Sequence, residues 1–80
     1  MKDLHFFSQP TSMAALRLRA KLRQTKLAML AGVNRDTIGR IESGGGVTAF
    51  TAQKVLDALN KELGTSYTLD QIEGLNVTRM

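Results

Sequence analysis

Basic side chains are concentrated between Arg17 and Arg40, where their chemistry is suited to binding an anion. This segment holds seven arginines and lysines and one acid, Asp36, so its net charge is 7 − 1 = +6. Residues 41–80 hold three bases and five acids, and the whole chain carries only +4. Such asymmetry is typical of a surface that meets an anionic partner. A solvated basic helix would show the same charge, so charge alone leaves both interpretations open.

Residues suited to catalysis or to metal binding are sparse. The chain has no cysteine, which excludes disulfides and thiolate metal sites. Its single histidine, His5, has no candidate ligand partners nearby, and the carboxylates Glu62, Asp70 and Glu73 are scattered. No phosphate-loop or metal-ligand spacing is present. We therefore expect no enzymatic activity, no metal and no cofactor.

The length of the chain sets the size of the fold that positions the basic residues. Eighty residues make one small domain, and a hydrophobic fraction of 42% is enough for a compact core. Without cysteine, that core must stabilise the fold alone or with the help of dimerisation. No apolar run approaches the length of a membrane span, and the first residues lack the apolar stretch of a secretory signal. We expect a cytoplasmic protein with no membrane partner.

Hydrophobic periodicity and capping residues predict four helices and a brief fifth one. Ser12, Asn34 and Thr68 are good N-cap residues for three of them, a fourth starts at Thr48, and glycines such as Gly32 and Gly64 end helices. Leu18, Leu22 and Leu30 are assigned to the buried stripes. The predicted ranges are 12–22, 24–31, 34–43, 48–63 and 68–73.

Outside these helices the chain divides into short terminal segments. Residues 1–11 are predicted to be an N-terminal arm, residues 12–74 the domain, and residues 75–80 a C-terminal tail. Leu4, Phe6 and Phe7 make the arm too apolar for a free tail, so it is expected to dock on the core or to pair with a second chain. The glycine triplet at 44–46 is predicted to form a flexible loop.

The second and third predicted helices carry an informative spacing. The positions concerned are Gln24, Ala28, Gly32, Ile38 and Ile41. The small Ala28 lets two helices cross closely, Gly32 allows a tight turn, and the two isoleucines anchor the third helix to the core. This pattern is typical of a helix-turn-helix, in which the second helix is presented to the major groove of DNA.

Residues 24–42, QTKLAMLAGVNRDTIGRIE, resemble the phage-repressor and Cro type of helix-turn-helix, the large bacterial Xre family, almost position by position. The resemblance extends over residues 13–73, about three quarters of the chain. It implies an all-α fold, a compact lambda-repressor-like bundle of four to five short helices with its motif at 24–43. The chain departs from many relatives at Val47, where they carry a proline before the fourth helix.

The resemblance also implies roles for individual residues. Arg17 of the first helix corresponds to an arginine that pairs with a glutamate at the end of the third, here Glu42, and such a pair is structural. The positions expected to contact DNA bases are Asn34, Arg35, Asp36, Thr37 and Arg40. The positions expected at or near the phosphate backbone are Arg23, Gln24, Thr25, Lys26 and Ser43.

These observations together predict a sequence-specific regulator of transcription that binds double-stranded DNA, most simply a bacterial or phage repressor acting as a homodimer. The pairing surface is expected either in the arm or in the C-terminal apolar residues Leu69, Ile72, Leu75 and Val77. The alternative is an antitoxin that binds operator DNA and neutralises a partner toxin through its arm or tail. A purely structural helical bundle would not need the arginines of the third helix beside such regular spacing.

Overall fold

The computed structural model describes residues 11–78, which form four α-helices, one 3-10 turn and four very short strands. The helices are α1 (Met13–Arg19), α2 (Gln24–Ala31), α3 (Arg35–Glu42) and α4 (Ala49–Leu63). The strands are β1 (Thr11–Ser12), β2 (Gly46–Thr48), β3 (Ile72–Glu73) and β4 (Asn76–Thr78). The predicted helical bundle is therefore present, but the all-α description is incomplete because the chain also pairs strands. The predicted arm lies outside the described residues except for Thr11.

Two helices begin at hydroxyl caps that the sequence predicts. The Ser12 side chain accepts a hydrogen bond from the backbone N–H of Ala15 at 3.0 Å, and Thr48 accepts one from Thr51 at 3.2 Å. Each bond satisfies a donor that the first turn of a helix leaves without a partner. Asn34 is the N-cap of α3 by position, but its side chain makes no capping bond.

Helix α1 is shorter than predicted, and neither Leu18 nor Leu22 is part of its buried face. It ends at Arg19, followed by Lys21 in the left-handed region at φ 60°, so the chain turns before Leu22. Leu22 then packs against the core from the turn. Leu18, which we had assigned to the buried stripe, is 64% exposed.

The turn between α2 and α3 depends on Gly32. This glycine has φ 72°, a conformation that costs little only without a Cβ. The left-handed residue lets the N–H of Val33 bond the carbonyl oxygen of Ala28 at 3.0 Å, which closes the end of α2. The chain therefore reverses within a few residues and sets α3 against α2.

A single apolar core holds the four helices together. Its fully buried side chains come from all four helices and include Leu16 of α1, Leu27 of α2, Ile38 of α3 and Leu56 of α4. Every buried residue of this core is apolar. From α4, the buried side chains are Ala52, Val55, Leu56 and Leu59.

The predicted fifth helix at 68–73 is wrong. Only Leu69–Gln71 form a 3-10 turn, and the next two residues are β3, which pairs in parallel with β1. Thr68 does begin the turn, where its backbone N–H donates to the Gln71 side chain at 2.8 Å. Ile72 is 7% exposed and completes the core from a strand rather than from a helix.

The glycine triplet and the predicted tail meet in a second small sheet. Strand β2 pairs in parallel with β4, with Gly46 opposite Asn76 and Val47 opposite Val77. Gly46 therefore belongs to a strand, and the triplet is not the purely flexible loop that we predicted. Residues 76–78, assigned to the tail, form an element of the domain.

Gly39 is the one glycine inside α3, and we expect Gly39→Ala to stabilise the fold. A Cβ built there meets nothing within 4 Å, and alanine is favoured over glycine in a helix by about 1 kcal/mol. Chemical denaturation should show a rise of about 0.5–1 kcal/mol in the free energy of unfolding. Gly32→Ala is the matched control and should have the opposite sign, because Gly32 has a positive φ. Equal losses in both variants would contradict this expectation.

Candidate nucleic-acid interface

Helix α3 is anchored by one face and exposed on the other. Ile38 and Ile41 are 0% and 3% exposed, so the inner face is fixed in the core. Arg35, Asp36 and Arg40 are exposed on the remaining surface of the helix. An eight-residue helix held in this way presents its polar side chains without losing its packing.

The residues expected to contact DNA bases all lie on or next to α3, but they differ in exposure. Asn34, Arg35, Asp36 and Arg40 are exposed, whereas Thr37 is half-buried. The Arg35 guanidinium lies 3.7 Å from the Asp36 carboxylate, and both side chains are mostly exposed. Because such exposed pairs contribute little to stability, both groups are available to a ligand.

The residues expected near phosphate gather at the start of α2. Arg23 is its N-cap residue by position, and together with Gln24 and Thr25 it lines an open depression of about 440 Å³. Arg17 and Arg35 line the same depression. Arg23 and Arg35 lie beside a helix N-terminus whose backbone N–H groups lack helical partners, which makes a surface suited to an anion.

Two further residues expected at the phosphate backbone lie apart from that depression. Lys26 is exposed on α2, and Ser43 is exposed just after α3. The Ser43 hydroxyl donates to the carbonyl oxygen of Arg40 at 3.2 Å, which places it beside the C-terminal end of α3. The two residues therefore extend the basic and polar surface beyond the depression.

Arg17 and Glu42 form an ion pair between α1 and α3. Arg17 donates through Nε to Oε2 at 2.6 Å and through Nη2 to Oε1 at 3.1 Å, so the contact is bidentate. A third bond runs from Arg17 Nη1 to the carbonyl oxygen of Leu22 at 2.9 Å. The two side chains are only 14% and 11% exposed, so solvent screens this pair less than the exposed Arg35–Asp36 pair.

The hydrogen bond with Glu42 raises the pKa of Arg17 above its ordinary value. Partial burial lowers the pKa, and the negative charge of Glu42 raises it again. Arg17 is therefore charged wherever the protein is folded, and the pair remains ionic as long as Glu42 is ionised.

Gln24 joins this pair, a contact that sequence reasoning missed. Its amide Nε2 donates to Oε1 of Glu42 at 3.0 Å, while its side chain also lines the depression. Glu42 thus ties α1, α2 and α3 together at one carboxylate. The sequence separation of 18 residues gave no sign of this contact, which exists because the turn at Gly32 folds α3 back along α2.

Several large apolar side chains are exposed away from the arginines of α3. Leu30, which we had assigned to the buried side of α2, is 42% exposed, and Met29 is 64% exposed. Phe50 in the first turn of α4 is 75% exposed, with Lys54 Nζ 5.5 Å from its ring centroid. Lys54 also donates to the carbonyl oxygen of Gly32 at 3.4 Å, which links this part of α4 to the end of α2.

The C-terminal residues proposed as a pairing surface are mostly used within the chain. Ile72 is buried, and Leu69 and Leu75 pack against the core. Val77 is the exposed member of the four, at 42%. Leu4, Phe6 and Phe7, the alternative pairing surface, lie outside the described residues.

Membrane-spanning helices and clusters of metal ligands are both absent from residues 11–78. No helix there is long and apolar enough to cross a membrane. Over the same range, no three side chains of His, Cys, Asp or Glu lie close enough together to hold a metal ion.

The short α2, the tight turn at Gly32 and the exposed α3 define a helix-turn-helix domain. A model of the helix-turn-helix family matches residues 13–65, two thirds of the chain, and the chain belongs to this family, the Xre or lambda-repressor-like group of DNA-binding domains. The match confirms the resemblance found in the sequence. It runs from α1 to just beyond α4, so β3 and β4 lie outside it. No curated protein and no solved structure matches the chain.

Proposed function

We propose that this protein is a sequence-specific regulator of transcription that places α3 in the major groove of double-stranded DNA. The observation that carries the proposal is the arrangement of α3, which is anchored by Ile38 and Ile41 and exposes Arg35 and Arg40. The major groove admits an α-helix and displays a distinct pattern of donors and acceptors for each base pair. No catalytic step forms part of the proposed function.

Most of the affinity would come from the phosphate backbone. The depression formed by Arg23, Gln24 and Thr25 offers positive charge and free backbone N–H groups to a phosphate. Lys26 and Ser43 extend the same contact to neighbouring phosphates. These interactions set the position of α3 on the duplex but carry no base preference.

Base preference would come from the exposed side chains of α3. Arg35 and Arg40 can each make a bidentate contact with guanine O6 and N7, whereas Asp36 can accept from cytosine N4 or hold Arg35 in place. Asn34 and Thr37 lie beside them, and threonine can also meet the methyl group of thymine. We infer a half-site that contains G·C pairs.

A single unit of this kind covers only a few base pairs, so we propose that two copies bind half-sites about one helical turn apart. The resulting complex would act as a repressor by covering a promoter, in the cytoplasm of a bacterium or of a phage-infected cell. Of the pairing surfaces considered, Val77 is exposed, whereas the arm lies outside residues 11–78 apart from Thr11.

Selection of bound fragments from random DNA tests the proposal, followed by measurement of the affinity for the selected site at several salt concentrations. We expect a consensus of two related half-sites and a linear fall of log K with log salt concentration, since bound phosphates release counterions. Fragments without any consensus, bound with the same salt dependence, would instead show a nonspecific DNA-binding protein.

A second candidate is an antitoxin that binds operator DNA and also neutralises a partner toxin. The observation that favours it is the exposure of three large apolar side chains, Met29, Leu30 and Phe50, which a partner protein would bury. Coexpression with the toxic product of an adjacent gene tests this candidate, and restored growth of the host cells would support it. If the Phe50→Ser and Met29→Ser variants restore growth equally well, these exposed side chains do not bind the toxin.

A further inference from the structure

The side chain of Arg40 lies against the backbone of the glycine triplet that follows α3. The N–H of Gly45 donates to the carbonyl oxygen of Arg40 at 2.8 Å, which brings residue 45 back over the end of the helix. A Cβ built on Gly45 would stand 2.5 Å from Cγ of Arg40 and 3.4 Å from its Cδ. The aliphatic stem of Arg40 therefore occupies the space that any other residue at position 45 would fill.

Backbone strain does not explain the glycine at position 45. Gly44 has a positive φ of 87°, but Gly45 is not among the glycines of the described chain with a positive φ. An alanine could therefore adopt the backbone conformation of Gly45, and its cost would come from contact with Arg40. The same Cβ would also lie 3.2 Å from the Arg40 carbonyl oxygen, which leaves the backbone little room to give way.

We propose that Gly45 is a positioning residue for Arg40 and thereby helps to determine which base pair the protein prefers. Within residues 11–78, the Arg40 guanidinium makes no hydrogen bond or ion pair, so packing of its stem is what directs it. Cγ is the second carbon of the arginine side chain. Displacing it therefore moves every atom beyond it, including the guanidinium group. This inference rests on the proposed function of α3, which it deepens.

The backbone of Gly45, which lies against Arg40, is fixed by the second sheet. Gly46 pairs with Asn76 in the register of β2 and β4, and the Asn76 amide donates to the carbonyl oxygen of Gly44 at 3.4 Å. Gly45 is thus held from both sides, by β4 and by the end of α3. A long side chain that is oriented before binding loses less rotamer freedom when it meets its ligand.

The test is a double-substitution cycle on the selected DNA site. Gly45→Ala should weaken binding about 3- to 10-fold and reduce preference at the base pair that depends on Arg40. In an Arg40→Ala background the same change should have almost no further effect. Gly64→Ala is the matched control, because it strains a left-handed glycine at the end of α4 while its methyl group contacts no part of Arg40. Its effect should be equal in both backgrounds.

An NMR measurement on the free protein tests the positioning without DNA. We expect nuclear Overhauser contacts between the γ protons of Arg40 and the α protons of Gly45 in the unmodified chain and in Gly64→Ala. Their absence from the unmodified chain would overturn the inference, and so would an equal loss of affinity from Gly45→Ala in both backgrounds. If the contacts are present but no DNA site is preferred, the proposed function fails while the packing of Arg40 stands.

Discussion

Glu42→Ala is expected to destabilise the domain by about 2–3 kcal/mol, between the values for exposed and fully buried ion pairs. Glu42 accepts three hydrogen bonds, two from Arg17 and one from Gln24. Its removal leaves a partly buried guanidinium with only the carbonyl oxygen of Leu22 as partner. In thermal unfolding, the midpoint should fall by about 10–20 °C for a domain of this size.

Asp36→Asn is the matched control for that experiment. It also removes a carboxylate of α3 that lies near an arginine, but the Arg35–Asp36 contact is long and mostly exposed. Its effect should stay within about 0.5 kcal/mol. Similar midpoints for Glu42→Ala and the unmodified chain would mean that the pair with Arg17 contributes no net stability, as some partly buried pairs do.

Arg40→Ala is expected to weaken binding to the selected DNA site by about 1–3 kcal/mol, roughly 5- to 150-fold, and to relax preference at one base pair. The physical reason is the loss of a bidentate contact between the Arg40 guanidinium and guanine O6 and N7. Affinities for the selected site and for all single-base variants of it measure both effects.

Lys61→Ala serves as the control for the lost charge, since Lys61 is exposed in the last turn of α4, outside the proposed interface. It should lower the affinity only slightly and equally for all sites. If Arg40→Ala also weakens every site by the same factor, then Arg40 contacts phosphate rather than a base. In that case Arg35 becomes the remaining arginine for base reading.

Helices with regular apolar spacing and clear ends could be predicted from the sequence almost to the residue. Helix α2 was predicted at 24–31 and is observed at Gln24–Ala31, since Gly32 marks its end unambiguously. The prediction failed at α1, where the observed helix departs from the range and the buried face that its apolar spacing indicated. Lys21 adopts a left-handed conformation that nothing in its residue type favours, so α1 ends early. Leu18 is exposed for a different reason, because it lies two residues after the buried Leu16 and therefore on the other side of the helix.

The strands could not be predicted because none is long enough to show a period. Ile72 lies three residues after Leu69, a spacing that is typical of a helix, yet Ile72 pairs with Thr11. That pairing joins residues 72 − 11 = 61 positions apart, and no local pattern reports such a contact. The same limit applies to the candidate site, where the residues of α3 were predicted but the contact of Gln24 with Glu42 was not.

The two parallel pairings also bear on the order in which the chain assembles. Helices α2 and α3 are neighbours in sequence and form early, because little loop-closure entropy opposes their contact. Strand β2 must wait for β4, and β1 must wait for β3, until α4 and the residues after it have been made. A nascent chain leaving the ribosome therefore has α2 and α3 before it has β4, and it closes the contact of β2 with β4 only after residues 76–78 have been made.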